Sequence, residues 1–144
     1  MAGRKSEELA ELRRRAEAGD AQAQYDLGCV YYDGNGVPRD YDEALRWYRM
    51  SAAQGNNSGL CDVGFCYRNG HGVPLDYAAA LPYYQKAADQ GCPTAAYWLA
   101  HAYEHAEGVE SDIEKARHWY TVSARKGDRD AIAALKHLPV GPRS

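Results

Sequence analysis

Five consecutive residues, His101-Ala102-Tyr103-Glu104-His105, have side chains and a spacing that could bind zinc. The two histidines of this H-x-x-E-H pattern lie on one face of a helix, where they can hold the metal while the glutamate acts as a base. A catalytic zinc requires a third protein ligand, and the usual context of the motif offers no candidate for it. We therefore keep a zinc-binding protein or metal-dependent hydrolase that uses His101, Glu104 and His105 as the alternative function. Our leading prediction contains no metal and no cofactor.

Other residue types that serve catalysis or redox chemistry lack the necessary spacing. The chain has four cysteines and no C-x-x-C pair. Cys61 and Cys66 belong to one predicted helix, with poor geometry for a disulfide, so we predict that the thiols are reduced. The glycine-rich segments lack the lysine that follows a phosphate-binding loop, and the serines have no nucleophile elbow. The sequence therefore predicts a protein that is not an enzyme.

Glycines at a fixed interval indicate the architecture that must position the histidines, cysteines and other residues considered above. Gly19, Gly55, Gly91 and Gly127 are 36 residues apart in the chain of 144. The same step relates Gly36, Gly72 and Gly108; Asp40, Asp76 and Asp112; and Tyr48, Tyr84 and Tyr120. A fixed period of this length is typical of repeat architectures, in which one small unit stacks on the next.

Each period predicts two helices and no strand. The first, the A helix, begins at Asp20 and carries apolar residues at helical spacing. It ends at residues 34–38, where glycines allow left-handed backbone angles and a proline blocks continuation. The second, the B helix, begins at Asp40, a residue type that caps a first helical turn, and Glu43 has the capping-box spacing. It ends at the next glycine of the series, a natural position just past a helix.

The same or a similar residue type recurs at the signature positions of the unit, with departures at Ala100, Ala106 and Tyr83. In the first period these positions hold Ala23, Leu27, Gly28, Tyr31, Gly34, Gly36, Val37, Asp40, Ala44, Trp47, Tyr48, Ala52 and Gly55. On these residues the chain resembles the Sel-one-like repeat, a relative of the tetratricopeptide repeat. The resemblance implies an all-α fold, a right-handed superhelical solenoid of antiparallel helix pairs with a 36-residue period. It also implies a concave face, formed by the A helices, that binds other proteins or peptides without enzymatic activity.

The phase of the period predicts a single repeat domain over residues 1–144. It comprises an N-terminal capping half-repeat (6–18), three repeats (19–54, 55–90 and 91–126), a C-terminal half-repeat (127–138) and a tail (139–144). Polar half-repeats at both ends are the usual caps of such arrays. We expect a monomer, with self-association through stacked ends as a possibility that the sequence leaves open.

Charge and hydropathy narrow the classes of partner. The net charge is −3, so no basic surface is indicated for nucleic acid or for an anionic membrane. No window approaches the roughly 18 apolar residues of a membrane span. The first residues become charged where a signal peptide would have its apolar core. We therefore predict a cytoplasmic protein whose partner is another protein or a peptide.

Residues that do not repeat are the candidates for binding, because repeated positions serve the framework. We name the following set the A-helix strip. It consists of Tyr25, Cys29, Tyr32, Phe65, Arg68, Tyr97, His101, Glu104, His105 and His137. Large rings and guanidinium groups of this kind dominate binding hot spots. The opposing interpretation is that Tyr25, Phe65 and Tyr97 only pack between neighbouring A helices. Our leading prediction is a non-enzymatic adaptor that binds a peptide or helix of its partner on this strip.

Overall fold

The structure, a computed structural model, describes residues 2–139. Within that range all regular structure is helical and no strand is present. The helices are α1 (Ala2–Glu17), α2 (Ala21–Asp33), α3 (Tyr41–Ala53), α4 (Asn57–Asn69), α5 (Tyr77–Asp89), α6 (Pro93–His105), α7 (Ile113–Arg125) and α8 (Arg129–His137). The predicted all-α class and the helix pair in each 36-residue period are confirmed. Of the predicted tail, only Pro139 lies within the described residues.

The chain divides into two compact units, Met1–Leu75 and Asp76–Ser144. Unit 1 contains α1 to α4, and unit 2 contains α5 to α8. The A helices of the sequence analysis are therefore α2 and α4 in unit 1 and α6 and α8 in unit 2. The B helices are α1 and α3 in unit 1 and α5 and α7 in unit 2.

Side-chain caps fix the start of most helices, as the sequence predicted. The Asp20 carboxylate accepts a hydrogen bond from the backbone N–H of Ala23 at 3.0 Å, and Asp40 accepts one from Glu43 at 3.1 Å. The expected capping box is only half formed, because the Glu43 carboxylate instead accepts hydrogen bonds from Arg46 and Trp47. The backbone N–H of Asp40, which a full capping box would use, donates to the Tyr31 carbonyl.

Three of the A helices end where the backbone becomes left-handed. Gly34 (φ 70°), Gly70 (φ 69°) and Ala106 (φ 55°) occupy equivalent positions after α2, α4 and α6. The backbone N–H of each donates to a carbonyl in the last turn of its helix, which satisfies one of the free acceptors at a helix end. Ala106 is the only non-glycine residue with positive φ among the described residues.

Close helix contacts form the core of unit 1. α3 packs against both α2 and α4, while α1 packs against α2. Leu27 and Trp47 are buried together, and Gly28 lies against the ring of Tyr48. The buried hydroxyl of Ser51 donates to the carbonyl of Ala21 at 2.8 Å, which ties α3 to the start of α2.

Unit 2 repeats this scheme with its own residues. α7 packs against α6 and α8, and α5 packs against α6. Tyr120 and Ala100 lie in the buried cluster, and the Ser123 hydroxyl donates to the Pro93 carbonyl at 2.8 Å. α5 continues through Pro82 as a single helix. In each unit, therefore, one side of the A helices is held in place by packed B helices. We call these packed helices, with their buried repeated residues, the frame.

Candidate functional site

The A-helix strip lies at the edge of the core in both units. Signature residues of the same helices are buried, as Leu27, Val63 and Leu99 show with at most 2% exposure. Strip residues are more open. Tyr25, Cys29, Tyr32, Phe65, Arg68, Tyr97, His101 and Glu104 are half-buried, and His105 and His137 are exposed. The strip is therefore partly supported by the frame and partly available to solvent.

In unit 1, the strip residues Tyr25 and Cys29 form a connected network with two side chains outside the strip, Tyr48 and Asp62. Tyr48 extends from α3, and its hydroxyl donates to Cys29 Sγ at 3.5 Å. The Tyr25 and Tyr48 rings are 5.6 Å apart between centroids. Tyr25 also forms side-chain hydrogen bonds with Cys29 on its own helix and with Asp62 on α4. The network therefore joins α2, α3 and α4 within unit 1.

Burial dominates the electrostatics of this network. It raises the pKa of Asp62, and the negative charge of Asp33 raises it further, while the hydrogen bond from Tyr25 acts in the opposite direction. Burial also raises the pKa of the Cys29 thiol. A raised pKa leaves less of the reactive thiolate. The arrangement does not activate Cys29 as a nucleophile.

The next part of unit 1 is organised around His71, in the loop that follows α4. The Tyr32 hydroxyl and His71 Nδ1 are hydrogen-bonded at 2.8 Å. The His71 ring stacks on Tyr41 with centroids 4.3 Å apart, and Phe65 meets it edge-on. Burial raises the pKa of Tyr32 to about 12, so its hydroxyl keeps its proton at neutral pH. The Tyr32 ring lies 5.0 Å from the Tyr41 ring and 5.5 Å from the His71 ring between centroids, so both side chains hold its orientation.

In unit 2 the residues of the H-x-x-E-H pattern interact with the frame and with one another. His101 Nδ1 lies 2.8 Å from Glu107 Oε1, and the hydroxyl of Tyr120 donates to Glu104 Oε1 at 2.6 Å. His105 Nε2 lies 3.4 Å from Glu104 Oε1. The rings of His101 and His105 are 4.2 Å apart between centroids.

This arrangement does not form a metal centre. Across residues 2–139, no three His, Cys, Asp or Glu side chains surround a point at which a metal ion could bind. Burial and the hydrogen bond to Glu104 both raise the pKa of Tyr120, so that bond keeps its phenolic proton. No observation favours the hydrolase alternative.

Within each unit, the structure brings several neighbouring strip residues into contact. Tyr25 and Cys29 are linked, and Tyr32 is linked to Phe65 through His71. In unit 2 the ring of Tyr97 contacts His101 and Tyr120. His137 is exposed in the last turn of α8. Arg68 lies in the last turn of α4.

The sequence did not predict Asp62, His71 and Glu107, which interact with predicted strip residues in the structure. Asp62 had a usable signal. The residues one period before and after it are Asp26 and Trp98, so its position does not keep one residue type. It also lies three residues before Phe65, on the same side of the helix. Its contact with Tyr25 joins neighbouring A helices and could not be inferred from spacing within one helix.

Helix pairs repeat every 36 residues, each pair is joined by a loop that contains glycine, and the helices from α2 to α7 have equal length. This architecture defines a helical repeat protein of the tetratricopeptide-like class. The Sel1 repeat matches this chain three times, at residues 21–56, 58–92 and 93–128. The chain belongs to the Sel1 repeat family. Proteins of this family are generally non-enzymatic protein-interaction scaffolds.

Similar proteins come from several bacteria. A solved Sel1 repeat protein from Oxalobacter formigenes is 35% identical, with a TM-score of 0.81 over 90% of this chain and 98% of that one. A protective antigen of uropathogenic Escherichia coli with an SLR fold is 36% identical, with a TM-score of 0.87, over 90% of this chain and 28% of that one.

A short segment is also similar to the secretory immunoglobulin A-binding protein EsiB of Escherichia coli O6:H1 strain CFT073. The two are 40% identical over 43 residues, which are 30% of this chain and 9% of that protein. This chain therefore spans a small part of two of the relatives it matches. Within the described part of this chain, no helix has the length and apolar character needed to cross a bilayer.

Proposed function

We propose that this protein is a non-enzymatic adaptor that binds a peptide or helix of another protein on its A-helix strip. The observation that carries the proposal is the contrast between two sets of positions on the same helices. Repeated positions such as Ala23, Leu27 and Gly28 are buried, whereas the non-repeating aromatic, histidine and charged residues remain partly open. Function in repeat proteins is expected at the second set, because the first is required for stacking.

Contacts with the frame support this proposal by holding the strip in one arrangement. The Tyr32 hydroxyl is fixed by His71, and the Glu104 carboxylate is fixed by Tyr120. Side chains that are already ordered lose less conformational entropy when a partner binds. A ring held at an angle to its neighbours also provides a shaped surface that an extended or helical segment can contact.

The proposal includes the remaining predictions from the sequence. The protein acts as a cytoplasmic monomer, it takes a protein or peptide partner, and it binds neither nucleic acid nor membrane. The net charge of −3 supports the last two points. Light scattering across a concentration series tests the monomer, since stacked arrays would increase in mass with concentration.

Affinity capture tests the adaptor function. The full chain serves as bait in a lysate of its source cell, beside the double variant Phe65→Ala, Arg68→Ala. A matched double variant on B helices, Met50→Ala with Arg125→Ala, removes one exposed apolar side chain and one arginine away from the strip. We expect the strip variant to lose captured proteins that the wild type and the control retain. Identical captures from all three baits would contradict the proposal.

Thermal unfolding of the variants Phe65→Ala and Tyr97→Ala separates binding from packing. If Phe65 and Tyr97 form a binding surface, their replacement by alanine weakens binding with little change in Tm. Replacing a buried aromatic residue by alanine typically costs about 3–5 kcal/mol. A loss of that size would assign these rings to the packing between helices.

A further inference from the structure

A pocket of about 470 Å³ opens between α1 and the end of α2, outside the A-helix strip. Its apolar lining includes Leu9 and Leu12 from α1 and Val30 from α2. Asn35 and Gly36, in the loop that follows α2, also line it. A volume of this size lies within the range of natural ligand pockets, about 300–1,000 Å³. The pocket is therefore a candidate site separate from the strip.

Comparison with the next repeat shows that the apolar lining of this pocket is incompletely covered. One period later, the equivalent apolar positions hold side chains that are at most 2% exposed, namely Leu45, Tyr48 and Cys66. In the pocket, Leu9, Leu12 and Val30 are half-buried. The fold therefore covers this apolar place in the next repeat and leaves it partly open beside α1.

The loop beside the pocket also lies farther from its helix than the equivalent loop does. Gly72 packs onto the start of α3, since a Cβ atom on it would come within 2.8 Å of the Tyr41 carbonyl oxygen. Gly36 is the equivalent residue one period earlier, and a Cβ atom on it would meet no described atom within 4 Å. This observation does not depend on side-chain burial, and it indicates the same open space between the loop and α1.

A tyrosine ring fills the equivalent place in the next repeat. The ring of Tyr32 lies 5.0 Å from the Tyr41 ring and 6.3 Å from the Tyr48 ring between centroids. Its hydroxyl is hydrogen-bonded to His71 Nδ1 at 2.8 Å. Each of these three neighbours has a counterpart one period earlier in the lining of the pocket, respectively Lys5, Leu12 and Asn35. The position that corresponds to Tyr32 itself is numbered before residue 1, so none of the described residues supplies the ring.

We infer that this pocket binds a tyrosine side chain of a partner protein. The ring contacts the apolar lining, and the hydroxyl forms a hydrogen bond with the Asn35 amide, which can both donate and accept. The bound tyrosine thereby takes the place that Tyr32 has in the next repeat. The site adds a second surface to the proposed adaptor and does not depend on the A-helix strip.

The polar residues of the lining favour tyrosine over other apolar side chains. The Lys5 ammonium can lie over the face of a bound ring, because the ring quadrupole attracts a cation. Unit 2 contains a contact of this kind, in which Lys115 Nζ lies 5.4 Å from the centroid of the Tyr103 ring. Asn35 distinguishes tyrosine from phenylalanine, because only the phenol offers a hydroxyl to the amide. A leucine side chain would gain neither contact.

An NMR titration of the full chain tests the pocket without knowledge of the partner. The probe is Nα-acetyl-tyrosine amide, and the readouts are the methyl signals of Leu9, Leu12 and Val30. We expect saturable shifts of these methyls. The phenylalanine amide should bind about three- to tenfold more weakly, the effect of one neutral hydrogen bond, and the leucine amide more weakly still. Methyl signals that do not shift with the tyrosine probe, or equal binding of the tyrosine and leucine amides, would overturn the proposal.

Variants at exposed positions make the titration specific with little risk to the fold. Ser6→Trp places a large ring in the lining of the pocket, and we expect it to abolish binding of the tyrosine probe. Ser58→Trp, the same change at an exposed serine of α4, should bind as the wild type. Asn35→Ala should bind the tyrosine and phenylalanine amides equally, whereas Asn69→Ala, which removes an exposed amide from α4, should keep the preference for tyrosine. Unchanged binding by Ser6→Trp, or an unchanged preference in Asn35→Ala, would contradict the assignment.

Peptide selection separates this inference from the proposed adaptor function. Short peptides selected on the wild type are tested on Ser6→Trp and on the double variant Phe65→Ala, Arg68→Ala. We expect a class of peptides that requires a tyrosine and loses binding only on Ser6→Trp. If every selected peptide bound Ser6→Trp as well as the wild type, the pocket would be refuted while binding on the strip could still stand. If the double variant bound every peptide normally and Ser6→Trp did not, the pocket would stand and the strip would be refuted.

Light scattering of the wild type and Ser6→Trp distinguishes a partner protein from a second copy of this chain. We expect the same mass for both at every concentration. A mass that rises with concentration in the wild type alone would assign the pocket to self-association and overturn the partner as its occupant.

Discussion

The ring of Tyr48 lies directly against the backbone of Gly28, so that a Cβ atom on residue 28 would come within 2.6 Å of Tyr48 Cδ1. The same Cβ would lie 3.2 Å from the Ala44 carbonyl oxygen. Both neighbours belong to α3, whose close approach to α2 depends on the missing side chain. Since the Tyr48 ring is 2% exposed, it has little room in which to move.

We predict that Gly28→Ala destabilises unit 1 by about 1–3 kcal/mol, the usual cost of forcing atoms into a packed core. The better helix propensity of alanine, worth about 1 kcal/mol, offsets only part of this cost. Urea unfolding measures the difference. Gly3→Ala is the control, because the same change in α1 meets nothing within 4 Å. A Gly28→Ala variant as stable as the control would contradict the packing argument.

Ala106 has the left-handed conformation that Gly34 and Gly70 adopt at equivalent positions. An L-residue pays roughly 1–2 kcal/mol for this conformation, and part of that is recovered as a lower entropy cost of folding. We predict that Ala106→Gly stabilises the protein by about 0.5–1 kcal/mol. Gly34→Ala, the reverse change, should destabilise it, because its Cβ would also approach the Arg39 backbone nitrogen at 3.1 Å. Thermal unfolding that moves both variants in one direction would refute this account.

Ser51 and Ser123 anchor the two units in the same manner, each with 0% exposure and a hydroxyl 2.8 Å from a carbonyl at the start of an A helix. Replacing either by alanine leaves that carbonyl oxygen without its side-chain donor. We predict a loss of about 1–2 kcal/mol for each variant, the cost of a buried polar group that has lost its partner. Ser58→Ala changes an exposed serine on α4 and should have little effect. Chemical denaturation of the three variants provides the comparison.

Asp62 should make stability depend on pH with a sign opposite to that of most carboxyls. Its pKa in the folded protein is raised above the ordinary value of 3.8, so the folded state favours the protonated form. Its contribution is full at acidic pH and is lost as pH rises through the raised pKa. We predict that Asp62→Asn has a higher Tm than wild type at pH 7 and that the difference disappears below about pH 4.

Glu43 provides the opposite case for that experiment. The hydrogen bond from Arg46 lowers its pKa, so its stabilising contribution is present at neutral pH and is lost as pH falls. Glu43→Gln should therefore lower Tm at pH 7 and approach wild type in acid. Parallel pH profiles for the two variants would contradict the assigned shifts.

The frame was more predictable than the candidate site, for a physical reason. Helix ends depend on local signals, so Asp40 and Gly34 were identified from their types and spacing, and the structure places both as helix caps. The partners of Glu43 and Asp62 depend on which side chains lie nearby in space. Glu43 has the capping-box spacing, yet Arg46 and Trp47 compete for its carboxylate. The contact between Asp62 and Tyr25 exists only after two A helices have packed.

Two of the tyrosines that repeat on the B helices, Tyr48 in unit 1 and Tyr120 in unit 2, donate to different kinds of acceptor. Tyr48 donates to Cys29 near the middle of α2, whereas Tyr120 donates to Glu104 near the end of α6. Glu104 lies two periods after Tyr32 and so occupies the equivalent position, which is about one helical turn after that of Cys29. The repeated tyrosine hydroxyl therefore donates to acceptors in different turns of the A helix. When binding residues are transferred between such repeats, the side chain that accepts the tyrosine hydrogen bond must be transferred with them. Otherwise the buried tyrosine hydroxyl loses its hydrogen bond.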